Sequence, residues 1–264
     1  MKLQTLVSTM GKDNYELIEI MNIKSDAIVI NQCGFNSLEV IEKNDHKMIW
    51  INSNEIGLSK SRNLAIENAC EEICVLADDD LVFVDNAYEL IIEQFTKNPE
   101  IDIIAFQVEG IDKEFKRYHK SQRNLNYLTS MKVASVEIAF RLNSIKNKSI
   151  RFNEKFGAGS KHKMGEENIF LFECLKKGLK MLYVPVKIAN LYVGDSSWFN
   201  GYTENYFYDL GAAYAAMSEK YSLFLILQFA VRKYNLYKKS CTFYRAVKAM
   251  LAGKNDHLLD NKNN

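Results

Sequence analysis

The sequence predicts an α/β protein with a mixed, mostly parallel sheet flanked by helices and a helical extension at the C-terminus. Three observations predict it. Strand and helix patterns alternate over the first 110 residues, which is the sign of βαβ units. Three of those strands close on polar residues, at Ser8-Thr9, Asn31-Gln32 and Asp78-Asp79-Asp80. Open parallel sheets bind their ligands outside the carboxyl ends of the strands. From about Thr203 the chain turns helical, rich in apolar and aromatic side chains, and basic.

Taken in order, Leu3–Ser8 reads as a strand and Asn14–Met21 as a short helix. Asp26–Asn31 and Lys47–Asn52 are a second and a third strand. Ser59–Asn68 carries Leu64 and Ala65, with Ala69 beyond them, at helical spacing. Ile73–Ala77 is a fourth strand that runs into the aspartates. Asn86–Lys97 is a helix stopped near Pro99, since the residue before a proline avoids helical backbone. Ile101–Val108 is a fifth strand. In the second half, Val133–Leu142 reads as a strand and Phe156–Gly165 as a glycine-rich basic loop. Glu166–Lys177 is a helix with Gly178 as its stop. Met181–Val184 and Lys187–Leu191 are short strands on either side of Pro185, and Gly211–Ser218 and Leu223–Tyr237 are helical.

Composition narrows the class. The chain has 264 residues, 47% hydrophobic and 25% charged, which suits one large domain with an appendage. A net charge of +1 gives no field that would attract nucleic acid. The five cysteines include no CxxC pair, so neither a disulfide framework nor a zinc site is indicated. They read as reduced thiols in a cytosolic compartment. No apolar run nears the ~18 residues that span a bilayer, and the N-terminus reads as a strand and not a leader.

The aspartates are the most informative feature. Three adjacent carboxylates at the mouth of an apolar strand repel one another unless a cation offsets them. In an extended chain Asp78 and Asp80 point the same way, so both can hold Mg²⁺ or Mn²⁺ while leaving positions open for a diphosphate. The plainer reading is a solvated acidic turn.

The stretch before the aspartates, Gly57 followed by Ser61-Arg62-Asn63, then the strand and Asp78-Asp79-Asp80, resembles the family 2 glycosyltransferases. About 100 residues on, Gly165-Glu166-Glu167-Asn168 opens a helix and is similar to the family's Glu-Asp element, with Glu167 where the family more often has Asp. The resemblance covers residues 1–200. It implies a GT-A, Rossmann-like fold and a nucleotide-sugar domain, with residues 201–264 as a basic helical extension. It implies inverting transfer from a nucleotide-diphosphate sugar, a UDP-sugar, to a glycan or lipid-linked acceptor. Residues 194–199 and the helices beyond resemble a subgroup found in bacterial capsule and surface-polysaccharide clusters.

On that resemblance Asp78 and Asp80 hold Mn²⁺ or Mg²⁺, a Lewis acid for the leaving diphosphate. Glu166 or Glu167 is the base that takes the acceptor's hydroxyl proton; the plainer reading of this pair is compensation of the helix dipole. Ser8, Gly57, Arg62 and Asp79 line the nucleotide pocket. Arg62 otherwise reads as a surface arginine paired to an acid. Asn31 and Gln32 offer amides to a uracil edge, or else form a polar turn. Trp198 offers a flat face to a sugar ring, or else is a core or lipid-facing residue. His162 reads as solvated in its loop, where Lys161 or Lys163 would cover a diphosphate if the loop closes as a lid.

Other classes stay open at this point. A sugar nucleotidyltransferase would carry a basic glycine-rich loop after the first strand, where Ser8–Asp13 is a poor match. A catalytically degenerate, membrane-docked partner subunit would tolerate loss of the acidic motifs, which are intact. Residues 221–255 hold seven Lys or Arg and no Asp or Glu. That stretch implies an anionic membrane surface and a peripheral place on the inner face of the plasma membrane, or else a merely solvated basic face.

Overall fold

The structure, a computed structural model, describes residues 1–43, 45–193 and 201–262. The strands are β1 (Leu3–Met10), β2 (Asp26–Gln32), β3 (Ser37–Lys43), β4 (His46–Ser53), β5 (Ile73–Asp78), β6 (Leu81–Phe83), β7 (Ile103–Gly110), β8 (Arg123–Asn124), β9 (Ile138–Arg141) and β10 (Met181–Leu191). The helices are α1 (Leu17–Ile20), α2 (Leu58–Asn68), α3 (Ala87–Lys97), α4 (Tyr127–Ser130), α5 (Leu142–Asn147), α6 (Glu166–Lys176), α7 (Glu204–Met217), α8 (Ser222–Arg232), α9 (Tyr234–Tyr237) and α10 (Phe243–Lys262).

One sheet runs in the order β3-β4-β2-β1-β5-β9-β7-β10-β6, with β8 against β10. The block β4-β2-β1-β5 is parallel throughout, and so is the pair β7-β10. Short antiparallel strands join and flank these blocks. Successive strand residues enter opposite cores, as a pleat requires. Val7, Val29 and Val75 face α1 and α3, with Ile18, Met21, Ile91 and Phe95. Leu6, Ile28, Leu76 and Cys74 face α2, α5 and α6, with Ala65, Ile66, Ile145 and Phe170.

A third apolar cluster joins the C-terminal helices to the rest. Phe207, Ala213, Ile226, Tyr237 and Met250 pack there on Phe156, Ile169 and Phe172. Helix α6 therefore has two buried sides, Phe170 and Cys174 toward the sheet and Ile169 and Phe172 toward α7. The axes of α7 and α10 come very close: a Cβ on Gly211 would lie 1.9 Å from the Met250 carbonyl oxygen, and one on Gly253 the same distance from that of Tyr208.

Several elements differ from the sequence expectation. Strand β3 was unexpected. It is an edge strand whose Leu38 and Val40 are exposed, so it lacks the half-buried alternation that marks strands. The segment read as one strand over Val133–Leu142 is a 3₁₀ turn, Ser135–Glu137, followed by β9. The two short strands around Pro185 are one strand, β10, whose register against β7 slips between Tyr183 and Lys187; proline has no N–H for that ladder. Helix α10 was also unexpected. Its buried positions include Gly253 and His257, which do not read as an apolar stripe.

Candidate active site

Strand register assembles the site. Ser8 lies beside Asp78 across β1–β5, Thr9 beside Asn31 across β1–β2, and Asn31 beside Asn52 across β2–β4. The polar strand ends named from sequence are thus neighbours along one edge of the parallel block.

Helix α2 supplies the groups that tie this edge together. It starts at Gly57, whose φ of 138° is a backbone conformation open to glycine. The Gly57 N–H donates to Gln32 Oε1 at 2.7 Å. Each residue of Ser61-Arg62-Asn63 then reaches a different element. Ser61 Oγ donates to Ser8 Oγ at 2.8 Å. Asn63 brackets the backbone of Phe152, donating to its carbonyl and accepting from its N–H.

Arg62 is the hub, with only 2% of its surface exposed. One terminal nitrogen donates to Asp78 Oδ1 at 3.0 Å and to Ser135 Oγ at 2.8 Å; the other donates to Glu166 Oε1 at 3.1 Å. The Phe152 ring lies 5.5 Å from the guanidinium carbon. Burial works to lower the guanidinium, but Asp78 and then Glu166 outweigh it, and the net shift is upward. A planar fork that serves two carboxylates and a hydroxyl at once is a task for arginine and not lysine.

The three aspartates diverge. Asp78 ends β5 and goes to Arg62. Asp79 accepts from Thr9 Oγ1 at 2.6 Å and pairs with Lys12 at 3.2 Å. Asp80 has no cationic partner among the described residues. It is exposed as a residue, yet its carboxyl is pushed up to about 6 by partial desolvation, then by Asp78 and, less, by Asp79. Asp79 and Asp80 lie in a turn. The same-side alternation expected of an extended chain therefore does not apply; across the turn Asp80 still feels the Asp78 charge. Among the described residues no group of three or more His, Cys, Asp or Glu forms a metal cage.

Glu166 and Glu167 open α6 after Gly165, which is left-handed at φ 90° and so close to α7 that its Cβ would lie 2.8 Å from that of Ala213. The two glutamates part company. Glu166 is the one on Arg62. Glu167 accepts from the adjacent Asn168 amide, and burial, followed by the Glu166 charge, raises it to about 8.

Other predicted residues take different roles. The Asn31 amide is spent on the Lys12 backbone, accepting from its N–H at 2.9 Å and donating to its carbonyl at 2.8 Å, with a further bond to Asn52. Gln32 serves Gly57. Both amides therefore hold loops, which corrects the expectation that they are free to read a base. His162 is 1% exposed, not solvated, and its Nδ1 lies 3.0 Å from Asp209. The glycine-rich loop is pinned, not poised as a lid: Lys161 pairs with Asp260 of α10, the Lys163 N–H reaches Asp209, and Ser59 Oγ donates to the Phe156 carbonyl. Trp198 and the rest of 194–199 lie outside the described residues.

Sequence reasoning missed Ser135 and a neighbouring cluster. Glu137, 2% exposed, accepts from Lys116 at 2.6 Å, from Tyr118 and from the Ala134 N–H. Burial lowers Lys116 and raises Glu137, and their mutual attraction opposes both shifts. Lys116 also feels the Glu167 charge. It lines a cavity of about 500 Å³ with Gln107, Glu109, Phe115, Tyr118 and Lys187. No spacing rule links residue 116 to residue 137, so only the fold reveals the cluster.

Arg62→Met will leave two carboxylates beside a buried apolar group. Removing one member of such a network costs about 3–5 kcal/mol, measurable by urea unfolding at pH 7.5. A cost near zero would show that Asp78 and Glu166 do not depend on the guanidinium.

The pH dependence has a definite sign. Asp80 and Glu167 sit above their ordinary values of 3.8 and 4.5, so the folded protein holds those protons more tightly than the unfolded chain. Their stabilising contribution is full below about pH 4 and is lost as pH rises through about 6 and then about 8. In chelator, the thermal midpoint of the native protein will fall more between pH 5 and pH 8 than that of the Asp80→Asn/Glu167→Gln double variant. Equal slopes would contradict the raised values.

Comparison with known proteins identifies this arrangement. No curated protein matches the chain in sequence. The fold is similar to that of S. aureus TarS residues 1–349, solved in complex with UDP-GlcNAc, at a TM-score of 0.68 and 14% identity, covering 94% of this chain and 79% of that one. It is also similar to the mannosyltransferase PcManGT from Pyrobaculum calidifontis, solved in complex with GDP-Man and Mn²⁺, at a TM-score of 0.54 and 11% identity, covering 96% and 73%. These are GT-A proteins, and the sheet described above is a GT-A sheet. The family model for glycosyl transferase family 2 matches residues 25–166, a span that holds Gly57, Arg62 and all three aspartates and ends at Glu166. With more than half of its length matched, the chain belongs to glycosyl transferase family 2 and is a glycosyltransferase.

Proposed function

We propose that the protein is a metal-dependent inverting glycosyltransferase that moves a sugar from a UDP-sugar to a glycan or lipid-linked acceptor in bacterial surface-polysaccharide synthesis. One observation carries this reading. A buried arginine ties the aspartate-rich end of β5 to the acidic start of α6, so a donor-binding edge and a candidate base share one rigid site.

The donor's diphosphate lies over the carboxyl ends of β1 and β5. Ser8, Gln32 and Gly57 shape the nucleotide end, Asn31 holds the Lys12 backbone under it, and Lys12 and Asp79 close its side. Uridine as the base and a nucleotide sugar as the donor are supported by the TarS complex with UDP-GlcNAc; the PcManGT complex with GDP-Man and Mn²⁺ supports a divalent cation.

The residues fit such a cation. Asp80 is a carboxylate without a cationic partner among the described residues, raised first by partial desolvation and then by the Asp78 charge, and Asp78 is a second hard oxygen donor. Two carboxylates without a closed cage leave positions for diphosphate oxygens. Mn²⁺ or Mg²⁺ held there supplies Lewis-acid neutralisation of the departing diphosphate.

Glu167 takes the acceptor's proton. Glu166 is engaged by Arg62, whereas Glu167 is not, and its raised value makes it the stronger base once ionised. Direct attack by the deprotonating hydroxyl on the anomeric carbon inverts that carbon. The cavity lined by Phe115, Lys116 and Tyr118, whose Lys116 feels the Glu167 charge, receives the acceptor.

Glu167→Gln will keep nucleotide-sugar affinity and lower turnover by about 10²–10⁴-fold, the usual contribution of a positioned base. If Glu166→Gln has that effect and Glu167→Gln does not, the base is the residue on Arg62. Asp80→Asn will lose Mn²⁺-dependent UDP binding in isothermal titration. Native affinity in that variant would remove Asp80 from the metal site.

A further inference from the structure

Helix α8 has two apolar faces, and only one of them is used by the fold. Ser222, Leu225, Ile226 and Ala230 point inward and are buried. Leu223, Phe224, Leu227 and Val231 are 48%, 61%, 43% and 66% exposed. Their spacing of i, i+1, i+4 and i+8 places them on one side of the helix. Beyond it, Tyr234 and Leu236 of α9 and Phe243 and Tyr244 of α10 are exposed as well, and the Tyr234 and Phe243 rings lie 6.2 Å apart. Single exposed apolar residues need no explanation, but a contiguous patch does.

Cations surround this patch. Arg232, Lys233, Lys238 and Lys239 are all exposed at the end of α8 and around α9. Arg232 bonds Gln228 and Lys238 bonds Asn235, both neutral. Of the seven cations between residues 221 and 255, Arg245 has an acidic partner, Glu204 at 3.0 Å. None of the other six has an ion-pair partner among the described residues. No acidic residue lies within that span to balance them. Among the described residues no helix is long and apolar enough to cross a membrane.

We propose that the outer face of α8, with α9 and the first turn of α10, docks onto an anionic lipid surface. An amphipathic helix with apolar side chains below and Lys/Arg beside them lies in the headgroup region, its apolar face inserted ~5–10 Å. The charge pattern selects this occupant over a second copy of the chain. A twofold interface would bring the same patch against itself and set these cations against one another. Residues 223–227 form one apolar run in the sequence. The structure divides that run, with Leu225 and Ile226 in the core and Leu223, Phe224 and Leu227 outside. Truncation at residue 218 would therefore remove part of the third core cluster and is not a clean test.

Surface substitution is. The full-length protein will co-sediment with vesicles of phosphatidylcholine containing 30% phosphatidylglycerol, on the order of the anionic content this mechanism needs, in low salt. It will not do so with phosphatidylcholine alone, and strong salt will release it because the attraction is screened. Phe224→Ser/Leu227→Ser will weaken binding about tenfold or more, and so will Lys238→Gln/Lys239→Gln, each cation being worth about fivefold near such a surface. Both variants will keep the native circular dichroism, thermal midpoint and UDP binding, since these side chains lie outside the core and the catalytic site. Absence of binding to the anionic vesicles at low salt overturns the proposal. So does equal binding to neutral vesicles, or binding that neither variant weakens. Self-association in solution that Phe224→Ser/Leu227→Ser abolishes also overturns it, by assigning the face to a second copy.

Discussion

The site depends on one buried charge. Arg62 lies almost wholly out of water, on a helix packed against the sheet, and that position is unfavourable for a guanidinium unless acids and acceptors surround it. Asp78 from β5, Glu166 from α6 and Ser135 from the 3₁₀ turn provide them. Three elements far apart in sequence are thereby fixed relative to one another. The arrangement also divides labour among like groups. Asp78 and Glu166 are bonded to Arg62, while Asp80 and Glu167 do not touch it and are pushed toward the neutral form, first by burial. Each acidic motif thus contains one member bonded to Arg62 and one that does not touch it.

The same division runs through the polar strand ends. Asn31 and Gln32 look from sequence like groups awaiting a ligand, and both prove to be holding backbone. A buried amide with free donors and acceptors costs more than one fully paired, so the fold consumes them. What they present to a ligand is the position of the Lys12 and Gly57 backbones. These amides maintain the shape of both loops.

Much of this was legible in the sequence, for a physical reason. The parallel block is made of strands with apolar residues on both faces, which show as short apolar runs, and the residues that end those runs are the ones register brings together. Arg62 and the aspartates were legible as a motif. Their division of roles was not, because it depends on Glu166 and Ser135, which arrive from residues 104 and 73 positions away. Edge strand β3 was hidden by its exposure and α10 by the glycine and histidine on its buried side. His162 was misjudged because a histidine between two lysines reads as surface; Asp209, 47 residues on, buries it.

Helix α6 connects the extension to the chemistry. Its sheet side and its α7 side are both packed, and just before its first residue Gly165 leaves no room for a side chain against Ala213. The loop before it is held by Asp209 of α7 and by Asp260 of α10. The carboxylates at the start of α6 are consequently placed by two bodies at once, the sheet through Arg62 and the C-terminal helices through the glycine-rich loop. Packed side chains transmit displacement because the interior is nearly as dense as an organic crystal. Ile226 and Phe229 of α8 pack in the same cluster as Phe207 of α7, and α7 bears directly on Gly165. The helical extension is therefore packed directly against the helix that carries Glu166 and Glu167.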